Sequence, residues 1–192
     1  MNAADGGGRT SKGRRTKDAL ADALEQLVTE MPISKIHVRT VTDRAGVDRQ
    51  TFYYHFDTMG DAALYVYHRR ADDLLKALPN CADARELFAT VGESVERNKV
   101  TLRELLREVG RPALRELLRD DATTVLRAQA RRICAERGAR LRDEEIDFAV
   151  EYCLMASASM FVDWLEGRIG GSAAQLAERL ARAFEQHIEG LL

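Results

Sequence analysis

Apolar residues recur every three or four positions along almost the whole chain, and this spacing constrains the fold more than any other feature. Leu20, Leu24 and Leu27 begin the first such stripe, and Phe184 and Ile188 continue the last one. No segment alternates apolar and polar residues in the way a half-buried strand does. The spacing predicts an all-α protein.

Composition indicates a globular chain. The 192 residues are 45% hydrophobic and 31% charged, with a formal net charge of −2, which is typical of a chain that buries a core. Cations nevertheless outnumber acids before the first periodic segment. Residues 1–15 are rich in glycine, arginine and lysine, and this composition predicts a disordered basic arm.

Three cysteines, Cys81, Cys134 and Cys153, are far apart and odd in number. This pattern argues for a reducing compartment and against disulfides, and no metal-ligand spacing is present. The N-terminal residues lack the apolar core of a signal peptide, and no uninterrupted apolar run reaches membrane length. We therefore expect a cytoplasmic protein that contacts no membrane and carries no metal or other cofactor.

Helix starts and stops divide the chain into segments. A first helix is predicted from Thr16, as its N-cap, to Pro32, and two short helices follow, at 38–45 and from Asp48. A longer helix is predicted at 61–78. Later segments are predicted to start near Asp83, Lys99, Pro112, Asp143 and Ser172. The predicted domains are 16–60 and 61–192.

The run GVDRQTFYYHF, residues 46–56, contains five consecutive rings. Because residues four apart share a helical face, Phe52 and Phe56 are predicted to anchor the helix while its other side stays exposed. Two short helices joined at a glycine make a helix-turn-helix unit, whose second helix enters the major groove of DNA.

The exposed residue types of this run suit DNA. Arg49 can donate two hydrogen bonds to guanine, and Gln50 can pair with adenine. Thr51 is short enough for a phosphate or a thymine methyl group. Phosphate contacts are predicted for the polar ring residues, which are Tyr53, Tyr54 and His55.

The segment HVRTVTDRAGVDRQTFYYHF, residues 37–56, resembles the DNA-binding signature of TetR-family transcriptional regulators. Within the family, DRQTFYYHF looks most like the dihydroxyacetone-kinase-regulator-like subgroup. The resemblance implies an N-terminal three-helix DNA-binding domain and a larger C-terminal helical bundle for dimerisation and ligand sensing. It also implies DNA contacts for Arg39 and Thr40 of the first helix of the unit.

Three positions depart from the family pattern. His37 stands where a capping threonine is usual, and Thr42 replaces a small apolar residue. Met59 stands where the family commonly has a phosphate-binding lysine. The basic arm before Lys17 could replace that cation.

Two sets of residues in the C-terminal part have alternative interpretations. A four-helix dimer interface is predicted for one set, whose residues could instead fill the core of one subunit: Ser157, Phe161, Trp164, Leu176, Leu180, Phe184 and Ile188. A second set could line a ligand cavity or simply belong to the core: Phe88, Tyr152, Cys153, Met155 and Met160.

The resemblance and the residues together predict a homodimeric repressor that reads a palindromic operator on double-stranded DNA and is released by a small-molecule effector. The alternative is a coactivator or adaptor that binds a protein partner through the C-terminal bundle. No nucleophile motif or glycine-rich phosphate loop is present, so we expect no enzymatic activity and assign no catalytic residue.

Overall fold

The computed structural model describes residues 7–117 and 119–192, and it describes side chains for residues 13–111 and 122–192. Over these residues the fold is all-α, as predicted, with no β-strand. The helices are α1 (Gly7–Glu30), α2 (Val38–Ala45), α3 (Arg49–His55), α4 (Met59–Ala77), α5 (Ala84–Arg97), α6 (Lys99–Leu117), α7 (Arg119–Glu136), α8 (Asp143–Leu165) and α9 (Ala173–Glu189). Short 3-10 turns occupy Ile33–Lys35 and Leu78–Asn80.

Side-chain caps explain why several predicted helix starts are confirmed. Asp48, Asp83 and Ser172 are N-caps whose oxygen accepts a hydrogen bond from the backbone N–H three residues later. Such a bond satisfies one of the four free N–H groups at a helix start. Thr58 and Asp61 form a reciprocal capping box, so α4 begins at Met59, two residues earlier than predicted.

Helix α1 begins at Gly7, so the predicted N-cap at Thr16 is wrong. Residues 7–15 of the predicted disordered arm form the first turns of α1, and residues 1–6 lie outside the described part. Adding turns to a formed helix is easier than starting one, and lysine and arginine are good helix formers. Propagation of the formed helix therefore outweighs the low helix propensity of Gly7, Gly8 and Gly13.

The segment predicted to start near Pro112 belongs to α6, which is interrupted at Gly110 with φ 75° and ψ 168°. That conformation is open essentially to glycine alone. The following helix, α7, begins at Arg119 and was not predicted, because no glycine or proline separates it from α6 in the sequence.

The helices share two main cores. The first, called here the N-terminal core, consists of Leu20, Ala21, Ala23, Leu24, Leu27, Val28, Ile33, Ile36, Val41, Phe52, Phe56, Ala62, Ala63, Val66 and Leu105. It therefore includes the first half of α4 and one residue of α6. A domain boundary after residue 60 would divide side chains that pack together.

The second core, called here the bundle core, is built mainly from α5, α7, α8 and α9, together with Ala71 and Leu75 of α4. Helix α8 is long and apolar enough to cross a membrane by length and composition alone, with a mean hydropathy of 1.2. However, 44% of the most apolar 18-residue stretch of α8 is buried in the protein. Ile146 and Leu165, near the two ends of the helix, belong to the bundle core.

Candidate nucleic-acid interface

Helices α2 and α3 are joined by the turn predicted at Gly46, which has a left-handed φ of 68°. Only glycine adopts this conformation readily. The Asp48 carboxylate then accepts a 2.7 Å hydrogen bond from the N–H of Thr51. This bond lowers the pKa of Asp48, because it stabilises the ionised form. The predicted turn and cap are both present.

Helix α3 has one buried side and one exposed side. Phe52 is fully buried, Phe56 is 4% exposed, and their ring centroids are 5.6 Å apart. Arg49 and Gln50 are exposed at the start of the helix, and Tyr53 and Tyr54 are 49% and 81% exposed. The prediction that two rings anchor the helix while other polar and aromatic side chains face outward agrees with this placement.

The residues proposed on α2 are also accessible. The Arg39 side chain is 81% exposed and lies 3.6 Å from Asp43, while Thr40 is half-buried. His37 is the N-cap of α2 but makes no side-chain cap bond. The buried Thr42 hydroxyl donates to the Arg39 carbonyl at 3.0 Å, so this departure from the family pattern leaves no unpaired polar group.

A cleft of about 970 Å³ separates α1, the end of α3 and α4. Its walls include Arg14 and Lys17 of α1 beside Tyr54 and His55 of α3. Lys17 is held there by two aromatic rings, because its ammonium nitrogen lies 4.3 Å from the Tyr65 centroid and 5.1 Å from that of Phe56. Helix periodicity alone did not single out these α1 cations.

His55 lies against this cleft and is half-buried. Burial lowers its pKa, and the nearby Lys17 cation lowers it further. Its ring is therefore mainly neutral at pH 7 and has one N–H donor. Met59, which replaces the usual cation, packs against the N-terminal core.

The predicted ligand-lining residues differ in burial. Phe88 and Cys153 are buried members of the bundle core, and Met155 packs against it. Tyr152 and Met160 are instead 57% and 38% exposed. Residues 152 and 160 therefore lie on the outer face of α8, whereas residue 153 lies on its inner face.

Most of the predicted dimer residues are buried within one subunit. Exposure is 7% or less for Phe161, Trp164, Leu176, Leu180, Phe184 and Ile188, and Ser157 is half-buried. The apolar face of α9 packs within its own chain, and the rings of Phe184 and Phe88 lie 6.1 Å apart across α9 and α5. These six residues are therefore core residues of one subunit.

A different apolar stripe is exposed on α8. Phe148 is 71% exposed, and Tyr152 and Met160 follow at four-residue spacing with the half-buried Ala156 between them. The Tyr152 ring also lies 5.1 Å from the ring of His187 on α9. The sequence pattern offered Tyr152 and Met160 as residues of a ligand cavity or of the core, but it did not show that they lie on an exposed face of α8.

Solved structures of similar fold include the dihydroxyacetone kinase operon activator DhaS, at TM-score 0.68 and 15% identity over 92% of this chain and 97% of that one. A TetR transcriptional regulator from Rhodococcus sp. RHA1 has TM-score 0.61 and 16% identity, covering 93% and 97%. RolR in complex with resorcinol has TM-score 0.57 and 18% identity, covering 90% and 95%. At these identities the likeness establishes the fold.

No curated protein sequence matches this chain significantly. Residues 83–186 match the TetR-type family described as the transcriptional regulator C-terminal region. The match covers more than half of the chain and is independent of the helix-turn-helix residues. The chain belongs to the TetR family of transcriptional regulators.

Proposed function

We propose that this regulator is a homodimeric repressor that reads a palindromic operator with α3 and is released by a small-molecule effector. The observation that carries the proposal is the two-sided α3, whose start is capped by Asp48 and whose Phe52 is fully buried. This anchoring leaves Arg49 and Gln50 exposed where a recognition helix meets base edges.

In the proposed docking, Arg49, Gln50 and Thr51 contact bases, and Arg39 and Thr40 of α2 contact the same duplex. Phosphate contacts are proposed for Tyr53, Tyr54 and His55. We also propose phosphate contacts for Arg14 and Lys17, because these cations line the same cleft as Tyr54 and His55. These α1 cations would supply the positive charge that Met59 lacks.

The proposed dimer forms through the exposed stripe of α8, which runs from Phe148 through Tyr152 to Met160. A second copy of this chain is the proposed occupant, because a palindrome presents two half-sites related by the same two-fold symmetry as a dimer. The small residues Ala156 and Ser159 on this face favour close approach of two helices. The apolar face of α9 stays inside each subunit.

Effector release is proposed to act through α4, because its first half belongs to the N-terminal core while Ala71 and Leu75 belong to the bundle core. An effector causes release only if it binds one relative arrangement of the two copies of α3 better than the other. Resorcinol and imidazole, bound in the structures of RolR and EbrR, are reasonable first probes. A crosslink between α4 and α5 should abolish such release.

The family is generally non-enzymatic, so the proposed action is binding alone, in the cytoplasm and without a cofactor. The direction of regulation is part of the proposal, since the similar folds include an activator and a repressor. The adaptor alternative gains no support from the family match.

The test is retention of sheared genomic DNA from the source organism at moderate salt, followed by sequencing. We expect the protein to retain a small set of fragments that share an inverted repeat. We also expect it to lower transcription in vitro from a promoter that carries this repeat. Sequence-blind retention by a folded dimer would contradict operator reading, and higher transcription would contradict repression.

A further inference from the structure

Glu104 of α6 is a buried carboxylate, with only 8% of its side chain exposed. One oxygen accepts a 3.1 Å hydrogen bond from the backbone N–H of Ile33, 71 positions earlier in the chain. The other pairs with the guanidinium of Arg107 one turn along α6. A carboxylate is costly to bury unless it is bonded in this way.

The Ile33 N–H has a specific need for this distant acceptor. Ile33 opens the 3-10 turn between α1 and α2, and its side chain is buried. The N-cap of that turn is Pro32, which makes no side-chain cap bond because proline has no side-chain acceptor. Without Glu104, a buried donor at the entrance to the helix-turn-helix would be unpaired.

The same stretch of α6 joins three parts of the molecule. Leu105 is fully buried in the N-terminal core, and Leu102 belongs to the bundle core. Leu106 is clustered with Val162 of α8, the helix that carries the exposed apolar stripe. Glu104 therefore joins the turn between α1 and α2 to α6. Helix α6 in turn contacts α8, the helix of the proposed dimer interface.

We propose that Glu104 is a positioning residue, which holds the α1–α2 connection against α6 and thereby sets the relative orientation of the two reading helices. This inference rests on the proposed dimeric operator reading. The bond joins elements that are far apart in sequence. Its loss would let the helix-turn-helix unit rotate relative to the bundle core while α3 itself stays folded. The expected consequence is a loss of discrimination between operator spacings.

The test uses full-length protein and the inverted repeat that the parent chain selects from random duplexes. Affinity is compared for the selected spacer and for a spacer one base pair longer, which rotates one half-site by about 34°. The parent should bind the longer spacer far more weakly. In Glu104→Ala the affinity ratio between the two duplexes should fall about tenfold, because a helix-turn-helix unit that is no longer held against α6 can turn to meet the displaced half-site.

Two controls separate positioning from general stability. Glu104→Gln keeps an oxygen that can accept from Ile33 and should restore most of the spacing ratio. Arg107→Ala leaves the bond between Glu104 and the Ile33 N–H in place. Loss of this 60% exposed charge partner should lower the melting temperature but leave the spacing ratio near the parental value. If Glu104→Ala weakens both duplexes equally, the residue is merely structural and the inference is wrong.

If Glu104→Ala does not fold, hydrogen exchange of the Ile33 amide in the parent provides a second measurement. Slow exchange there, together with a parental spacing ratio in Glu104→Gln, supports the inference. Exchange as fast as at an exposed amide overturns it. Failure of the parent to select any inverted repeat would instead refute the proposed function, so the two failures are distinguishable.

Discussion

The ammonium nitrogen of Lys17 lies 4.3 Å from the centre of the Tyr65 ring, joining the basic start of α1 to the first turns of α4. Tyr65 in turn donates a 2.8 Å hydrogen bond to Asp18. The contact holds a cation beside the exposed end of α3, in the cleft lined by Tyr54 and His55. A flexible lysine held in this way loses less freedom when it meets a phosphate.

The first prediction concerns this cation. Replacing Lys17 by Met should weaken binding to all operator sequences about equally and lower the slope of log affinity against log salt concentration by about 1. The matched control is Arg85→Met, which removes one positive charge from α5, where Arg85 pairs with Glu178 and Glu185. Equal salt slopes for the parent and the Lys17 variant would exclude a phosphate contact.

The second prediction concerns the cap of α3. The pKa of Asp48 lies below its ordinary value of 3.8, chiefly because the Thr51 backbone N–H bonds the carboxylate. Its ionised form therefore stabilises the fold above the unfolded pKa, and this stabilisation is lost as pH falls through the lower, folded pKa. Asp48→Ala should lower the melting temperature at pH 7.

The control for the cap is Asp48→Asn, which keeps an acceptor but does not titrate. The difference in melting temperature between the parent and Asp48→Asn should be constant from pH 7 to 5 and change only below about pH 4. A change centred near pH 6.5 would point to a histidine instead of the cap.

Much of the helix-turn-helix unit was predictable because the residues that determine its turn and its helix start act locally. Gly46 needs no distant residue to form its turn, and Asp48 caps a helix that begins at the next residue. Phe52 and Phe56 follow from helix spacing alone. Lys17 was harder to assign, because its role depends on Tyr65, a residue 48 positions away, and on how α4 packs against α1.

The larger bundle was less predictable because helix spacing identifies an apolar face but not its partner. The spacing of the stripe through Leu176 and Phe184 suits a dimer interface or a subunit core equally well, and only the structure shows its contact with α5. Similarly, Cys153 and Tyr152 are neighbours in sequence, but Cys153 faces the bundle core and Tyr152 is exposed. In the sequence, Glu104 resembles the other charged residues of α6, and its bond to the Ile33 N–H is visible only in the structure.

The third prediction concerns the exposed stripe of α8. Phe148→Glu places a charge where the proposed dimer buries a ring, so it should weaken self-association at least about tenfold. Val100→Glu is the matched control, since Val100 on α6 is 48% exposed and lies outside the stripe. Sedimentation equilibrium measures both variants. A Phe148→Glu protein that dimerises like the parent would show that the interface lies elsewhere.

The fourth prediction concerns Cys153, whose burial raises its pKa to about 11. At pH 8 nearly all of this thiol is protonated and unreactive, because the thiolate is the nucleophile. Iodoacetamide should therefore label Cys153 slowly in the folded protein and rapidly in guanidinium, as followed by peptide mass spectrometry. Equally fast labelling in both states would contradict its place in the bundle core.

The central claim is that two copies of α3 read DNA bases, and parallel selections from random duplexes test it most directly. The proteins compared are the parent, Arg49→Ala and Tyr53→Phe. The parent should select an inverted repeat whose half-sites lie about 34–36 Å apart or a multiple of this distance.

Arg49→Ala should lose preference at one base pair in each half-site, at a cost of about 1–3 kcal/mol there. Tyr53→Phe should keep the parental motif and bind all sites more weakly. If Arg49→Ala selects the same motif with unchanged preferences, or if the folded parent selects no motif, α3 does not read bases in the way proposed.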